Sequence, residues 1–271
     1  MSMNKFLTYV AAALCAVSGP AMAGPLDEVI KVQVLEGWRT ADGQHMAALQ
    51  IELEEGWKTY WRKPGEAGIP PRFDWRRSDN LDGIDISWPV PKQLPQLGFM
   101  TIGYDRSVVV PLIVTPDAPG DEVSLSGKID LGVCKDICVP ISLRVDQNLS
   151  ADANKRDPRI IAALADQPFS AREGRVSHVS CQFSPIEDGL RLTTEIDLPA
   201  GQGQETAVVE TSDPKLWVTE ARTTRKGGRL TAESDLYHVD GQAFALDRSQ
   251  VRITVLSASQ AVEIHGCSAG S

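Results

Sequence analysis

The sequence predicts an all-β protein, two β-sandwich domains joined by a linker that carries a short helix. Three observations point to this. Short runs of alternating apolar and polar residues, with turn residues between them, fill the first half of the chain. A polar stretch of low β-propensity follows. The alternation then returns from Val176 to Cys267. With 271 residues, 42% hydrophobic and 23% charged, the chain is long enough for one large domain or two small ones.

The first 23 residues read as a secretory leader. Lys5 supplies the positive start, Phe6 to Val17 is apolar, and Ala21-Met22-Ala23 is a small-x-small signal that predicts cleavage after Ala23. The apolar run is too short to span a bilayer comfortably. Cys15 has Ala12, not leucine, three positions before it, so no lipid anchor is read there. No later stretch approaches about 18 apolar residues, so no stable membrane insertion is expected. Removing the leader takes away Lys5 and no acid, moving the net charge from −9 to −10. An acidic chain without a basic stripe argues against nucleic acid and against anionic lipid surfaces.

Residues 24–150 form the first expected domain. "VIKVQVLEGW" and "HMAALQIELEEGW" alternate on either side of "TADGQ", which is a hairpin pattern. "GWKTYWRKPGEAGIPPRFDW" is aromatic and proline-rich. "GIDISWPVP", "SVVVPLIV", "EVSLSGKIDLGV" and "ISLRVDQNL" are further short strands. Many short strands between turn signals suggest a sandwich. Residues 151–174 form the linker, where Asp157-Pro158 is a helix start and "RIIAALA" supplies two turns. Residues 175–271 form the second domain, with strands in "GLRLTTEIDL", "TAVVET", "LWVTEART", "GRLTAESDLY", "QVRITVLS" and "AVEIHGC". About 95 residues suits an immunoglobulin-like unit.

Five cysteines are present, and Cys15 leaves with the leader. The four that remain, Cys134, Cys138, Cys181 and Cys267, suggest disulfides in an exported chain. A disulfide stabilises chiefly by restricting the unfolded chain. A Cys181–Cys267 bond closes a loop of about 87 residues, for on the order of 4.6 kcal/mol, and reads as a structural staple. A Cys134–Cys138 bond closes about 5 residues, for roughly 2 kcal/mol before strain is subtracted. That is a poor staple. If "KDI" is a hairpin loop, the two cysteines face each other across the ladder, and exposed, strained disulfides are the labile or catalytic ones. Lys135 favours the thiolate of its neighbour, although a nearby lysine is common on any surface. Redox work, a strained structural bond and a metal site all stand at this point.

The metal reading lacks ligands at finger-like spacing. His45, His178, His238 and His265 are scattered and read as surface or packing residues. Met46 and Met100 would add thioethers for Cu(I) if they fold close to the pair. No GxSxG, phosphate loop or HExxH occurs, and no cofactor is expected.

Three segments in order, "GWKTYWRKPGEAGIPP" (56–71), "GYDRSVVVPLIV" (103–114) and "VCKDICVP" (133–140), resemble the N-terminal periplasmic domain of DsbD-type thiol–disulfide reductases. The three-residue spacing between cysteines is most similar to the ScsB branch, associated with copper tolerance. The resemblance covers roughly residues 28–150. It implies a periplasmic, immunoglobulin-like domain in which Cys134 and Cys138 shuttle electrons. The donor would be a membrane-embedded DsbD- or CcdA-like protein. The acceptors would be oxidised periplasmic proteins, thioredoxin-like or a disulfide isomerase. Tyr60 falls where the family keeps a tyrosine beside the sulfurs, and a core aromatic is the alternative. Trp57 and Trp61 read as core. Family members cover the pair with an aromatic cap loop. "PQLGFMTIGY" occupies that part of the chain, with Phe99 the best candidate and Met100 and Tyr104 behind it.

Two departures stand out. Better-known members have more residues between the cysteines. They also continue into a membrane conduit and a thioredoxin-like domain, whereas this chain ends at Ser271, so another membrane protein would supply the electrons. The alternative functions are a copper-tolerance protein using Cys134, Cys138 and a methionine, and a non-redox interaction module.

Overall fold

A computed structural model describes residues 29–96, 98–258 and 260–270. The expected leader, its cleavage site and Cys15 lie outside the described residues. The first half contains ten strands: β1 (Ile30–Arg39), β2 (His45–Leu53), β3 (Lys58–Tyr60), β4 (Arg72–Asp74), β5 (Gly83–Ile86), β6 (Lys92–Gln96), β7 (Phe99–Asp105), β8 (Ser107–Thr115), β9 (Val123–Cys134) and β10 (Cys138–Leu149). A four-stranded sheet, in the order β1-β2-β8-β5, faces a second sheet, β10-β9-β3-β7-β6, with β4 also on β9. The predicted β1–β2 hairpin is present and antiparallel. So is the hairpin β9–β10, which runs in unbroken register over its whole length.

Side-chain alternation decides what each strand buries. On β2, Ala47, Leu49 and Ile51 point into the core between the sheets, where they join Leu112, Val114, Leu125, Ile129 and Val133. Ala48 points the other way. It joins Leu35 and Trp38 beneath Ile160 of helix α1 (Pro158–Ala165). Both faces of this sheet are therefore covered where the helix lies. The helix starts as the sequence predicts, with the Asp157 side chain accepting from Arg159 N at 2.8 Å and Pro158 opening the first turn.

The expected linker packs against both sandwiches. Besides the docked Ile160, Asp166 O accepts from Val90 N at 2.8 Å, and Ser87 Oγ donates to Gln167 Oε1 at 2.9 Å. The stretch 151–174 also contains β11 (Phe169–Ser170), which joins a sheet of the second domain. Two residues without alternation leave no strand signature to read in advance.

The second half adds β12 (His178–Ile186), β13 (Gly189–Asp197), β14 (Thr206–Thr211), β15 (Leu216–Val218), β16 (Arg222–Lys226), β17 (Arg229–His238), β18 (Val251–Leu256), β19 (Ala261–His265) and β20 (Ser268–Ala269). It repeats the arrangement of the first. A four-stranded sheet, β11-β19-β18-β14, faces β15-β17-β13-β12-β20, with β16 also on β17. Leu192, Ile196, Leu230 and Leu236 meet Val209, Ile253, Val255 and Val262 between them. Val208 on β14, one residue from Val209, faces outward. With Leu256 and Ala261 it packs into the same apolar cluster as Trp61 and Ile102 of the first domain. The outer face of this sheet is thus the interface between the two sandwiches.

Candidate redox site

The site lies at the turn of β9–β10. Cys134 and Cys138 are register partners, separated by Lys135-Asp136-Ile137, and a disulfide joins them with Cα atoms 4.1 Å apart. The predicted three-residue hairpin loop is the one observed. Cys134 is fully buried, whereas Cys138 is partly open to solvent. Ile137, at the tip, is 73% exposed.

Tyr60 reaches the sulfurs from β3, which lies beside β9. Its ring crosses Gly132, where an added Cβ would stand 2.9 Å from two ring atoms. Only glycine lets the ring lie flat on β9 at this point. The Tyr60 hydroxyl sits 3.2 Å from Cys138 Sγ and donates to Gln96 Oε1 at 3.0 Å. Burial pushes its pKa up, only partly opposed by the Gln96 hydrogen bond, so the phenol stays neutral. Tyr60 is thus a buried aromatic whose hydroxyl also touches the Cys138 sulfur. Trp61 is fully buried and Trp57 packs against the same core, as expected.

Gln96 completes the site, and sequence reasoning missed it. It is the last residue of β6, pairs with Phe99 across the hairpin, and is buried. Its amide Nε2 donates to Cys134 Sγ at 2.9 Å and to Cys138 Sγ at 2.6 Å. Hydroxyls fix which way the amide faces. Tyr60 and Thr101 both donate to Oε1, Thr101 at 3.5 Å, so the amide N–H groups are turned onto the sulfurs. Lys58 ties the same strand down by donating to Pro95 O at 2.9 Å, and burial lowers its pKa. The available signal was Gly98, whose φ of +88° marks the β6–β7 turn and puts Gln96 opposite Phe99.

The cap candidates divide. Phe99 and Met100 lie at the turn end of β7, on the hairpin whose Gln96 touches the sulfurs, with side chains 55% and 39% exposed. Tyr104 lies elsewhere. It is buried in the core of the first sandwich, and its hydroxyl donates to Pro89 O at 2.8 Å. Its place farther along β7 makes it a packing residue and not part of the cap.

Of the possible copper ligands beyond the cysteine pair, Met100 lies on the β6–β7 hairpin, and the others are spread over both sandwiches. Met46 lies on β2 in the opposite sheet, beside Leu35, Trp38 and Ile160. His45 is buried, its Nε2 2.7 Å from Glu36 O, with burial lowering its pKa. His238 and His265 lie on second-domain strands, and His178 begins β12. Cys181 and Cys267 form the second disulfide, Cα atoms 5.7 Å apart, tying β12 to the segment between β19 and β20.

A β-sandwich that presents a disulfide at a hairpin turn, against the Gln96 amide of β6 and the Tyr60 hydroxyl of β3, is suited to thiol–disulfide interchange. The comparisons agree. Residues 26–150, a little under half of the chain, match the family described as thiol:disulfide interchange protein DsbD, N-terminal. The whole chain resembles in fold the crystal structure of the N-terminal periplasmic domain of ScsB from Proteus mirabilis. The TM-score is 0.68 at 23% identity, over 92% of this chain and 97% of that one. No curated protein matches in sequence. Among the described residues, no helix is long and apolar enough to cross a membrane.

Proposed function

We propose that this protein is a periplasmic electron carrier. Its Cys134–Cys138 pair takes electrons from a membrane-embedded DsbD- or CcdA-like donor. It passes them to oxidised periplasmic proteins, thioredoxin-like or a disulfide isomerase. The observation that carries the reading is the Gln96 amide aimed at both sulfurs from the β6–β7 hairpin. A structural bond needs no such donor, because a disulfide carries no charge to stabilise. A thiolate does.

In this reading Cys138, the partly exposed residue of the pair, reacts with the partners. A donor thiolate attacks Cys138 Sγ. The S–S bond breaks, a mixed disulfide forms, and Cys134 leaves as a thiolate that Gln96 hydrogen-bonds. A second donor thiol attacks the donor sulfur of the mixed disulfide and frees Cys138, so the donor is oxidised and the pair reduced. In the forward half, the Cys138 thiolate attacks an acceptor disulfide. Cys134 then resolves that mixed disulfide and releases the reduced acceptor. Tyr60 can accept from a Cys138 thiol while it donates to Gln96, which holds the proton between attacks.

The test is trapping. A Cys134→Ala variant retains Cys138 without a resolving partner, and should accumulate mixed disulfides with periplasmic proteins in the native cell. Capture of nothing by that variant and by Cys138→Ala would overturn the reading.

A further inference from the structure

The second sandwich touches the first at the two elements that build the site. One is the loop that follows Tyr60. Arg62 donates to both carboxylate oxygens of Glu210 at 2.9–3.1 Å and to Glu263 at 2.6 Å. Its guanidinium lies over the Trp61 ring, 4.1 Å from the centroid. Burial works against the Arg62 charge, but the hydrogen bonds and charges of Glu210 and then Glu263 outweigh it and raise its pKa. Lys63 Nζ donates to Val218 O at 2.9 Å, and Glu66 N donates to Glu220 Oε1 at 2.6 Å. The other element is β6, three residues before Gln96. There Thr206 Oγ1 donates to Gln93 Oε1 at 2.7 Å, and Gln93 Nε2 donates to Gln204 O at 3.3 Å.

Gly65 lies where loop, hairpin and second domain meet. A Cβ added there would stand 3.1 Å from Met100 O and 2.5 Å from Glu220 Oε1. Residue 65 therefore leaves no room between the second domain and β7.

One of these elements needs outside support. β6 has five residues and lies at the edge of its sheet, whereas the three residues of β3 are held between β7 and β9. Short edge segments with few ladder bonds open at low free-energy cost. We infer that the second domain is a clasp that sets access to Cys134–Cys138, with Arg62 and Gln93 as positioning residues that hold Tyr60 and the cap hairpin against the sulfurs. The inference rests on the redox reading of the pair and adds the control of that site.

The test uses the full chain and two variants. Thr206→Val keeps the shape and removes the hydroxyl on Gln93. Glu210→Gln combined with Glu263→Gln removes both charges from Arg62. The rates at which dithiothreitol reduces each disulfide are measured separately, together with the unfolding midpoint. The double variant should raise the Cys134–Cys138 rate by about tenfold, the population shift expected when charge-assisted hydrogen bonds to Arg62 are weakened. Thr206→Val should raise it by roughly threefold, in keeping with one neutral hydrogen bond. The Cys181–Cys267 rate should not move in either. A general loss of stability would speed both bonds together, and that result would overturn the clasp. So would an unchanged Cys134–Cys138 rate in both variants. If the double variant does not fold, Thr206→Val alone decides. The assay needs no physiological partner. Failure of the trapping experiment would therefore refute the electron-carrier reading without touching this result, and the reverse also holds.

Discussion

Replacing Gln96 by leucine tests the chemistry of the site directly. Leucine fills nearly the same buried volume and removes both N–H donors from the sulfurs. The hydroxyl partners are not orphaned. Tyr60 keeps Cys138 Sγ at 3.2 Å, and Thr101 keeps Leu94 O at 2.9 Å. The loss therefore falls on the thiolate. A hydrogen bond to a charged group is worth about 1.5–3 kcal/mol. At about 1.36 kcal/mol per pH unit, the thiolate pKa of the reduced pair should rise by about 1–2 units. The reduced form loses that stabilisation and the uncharged disulfide loses little. The potential, measured above the raised pKa, should fall by about 30–65 mV. Thiolate ultraviolet absorbance against pH gives the first quantity, and equilibration with a glutathione buffer gives the second. An unchanged pKa with a lowered unfolding midpoint would show that Gln96 only fills space, and the reasoning would fail.

Three further outcomes are expected. Mild reductant should open Cys134–Cys138 well before Cys181–Cys267, because the sequence separations are 4 and 86 and the longer loop holds its staple more firmly. Equal midpoints in a redox titration would contradict the division of roles. Phe99→Ala should speed reduction of the pair by a small thiol, while costing well under the roughly 3–5 kcal/mol of a core phenylalanine, since its side chain is already 55% exposed. A large stability loss with no gain in rate would remove Phe99 from the cap and leave Met100 to test. Burial acts to raise the Glu263 carboxyl, but the Arg62 charge and hydrogen bond outweigh it and hold its pKa below the ordinary range. Its stabilising contribution is thus complete above the usual value of about 4.3 and is lost as pH falls through the lowered one. The difference in unfolding midpoint between the native chain and Glu263→Gln should shrink as pH falls below about 4. A difference independent of pH would refute that assignment.

Much of this was legible because it is local. Strands such as β14, and the hairpins β1–β2 and β9–β10, follow from alternation and the turns between runs. Period-two patterning sets the buried face before any partner arrives. Asp157-Pro158 marked α1 because capping needs only the first turn of the helix. The CxxxC spacing placed two sulfurs opposite each other because a three-residue turn leaves them little else to face. The tertiary structure alone decided the rest. Tyr104 is a core residue and Phe99 an exposed one, although both lie on β7, because the sheets close over one end of that strand and not the other. Gln96 meets sulfurs 38 and 42 positions away, and Arg62 meets carboxylates 148 and 201 positions away. A polar residue in a short, proline-containing strand, or an arginine in a loop, carries no mark of such partners. Those contacts are made when packed sheets bring distant backbones together, and short-range conformational preference does not encode them.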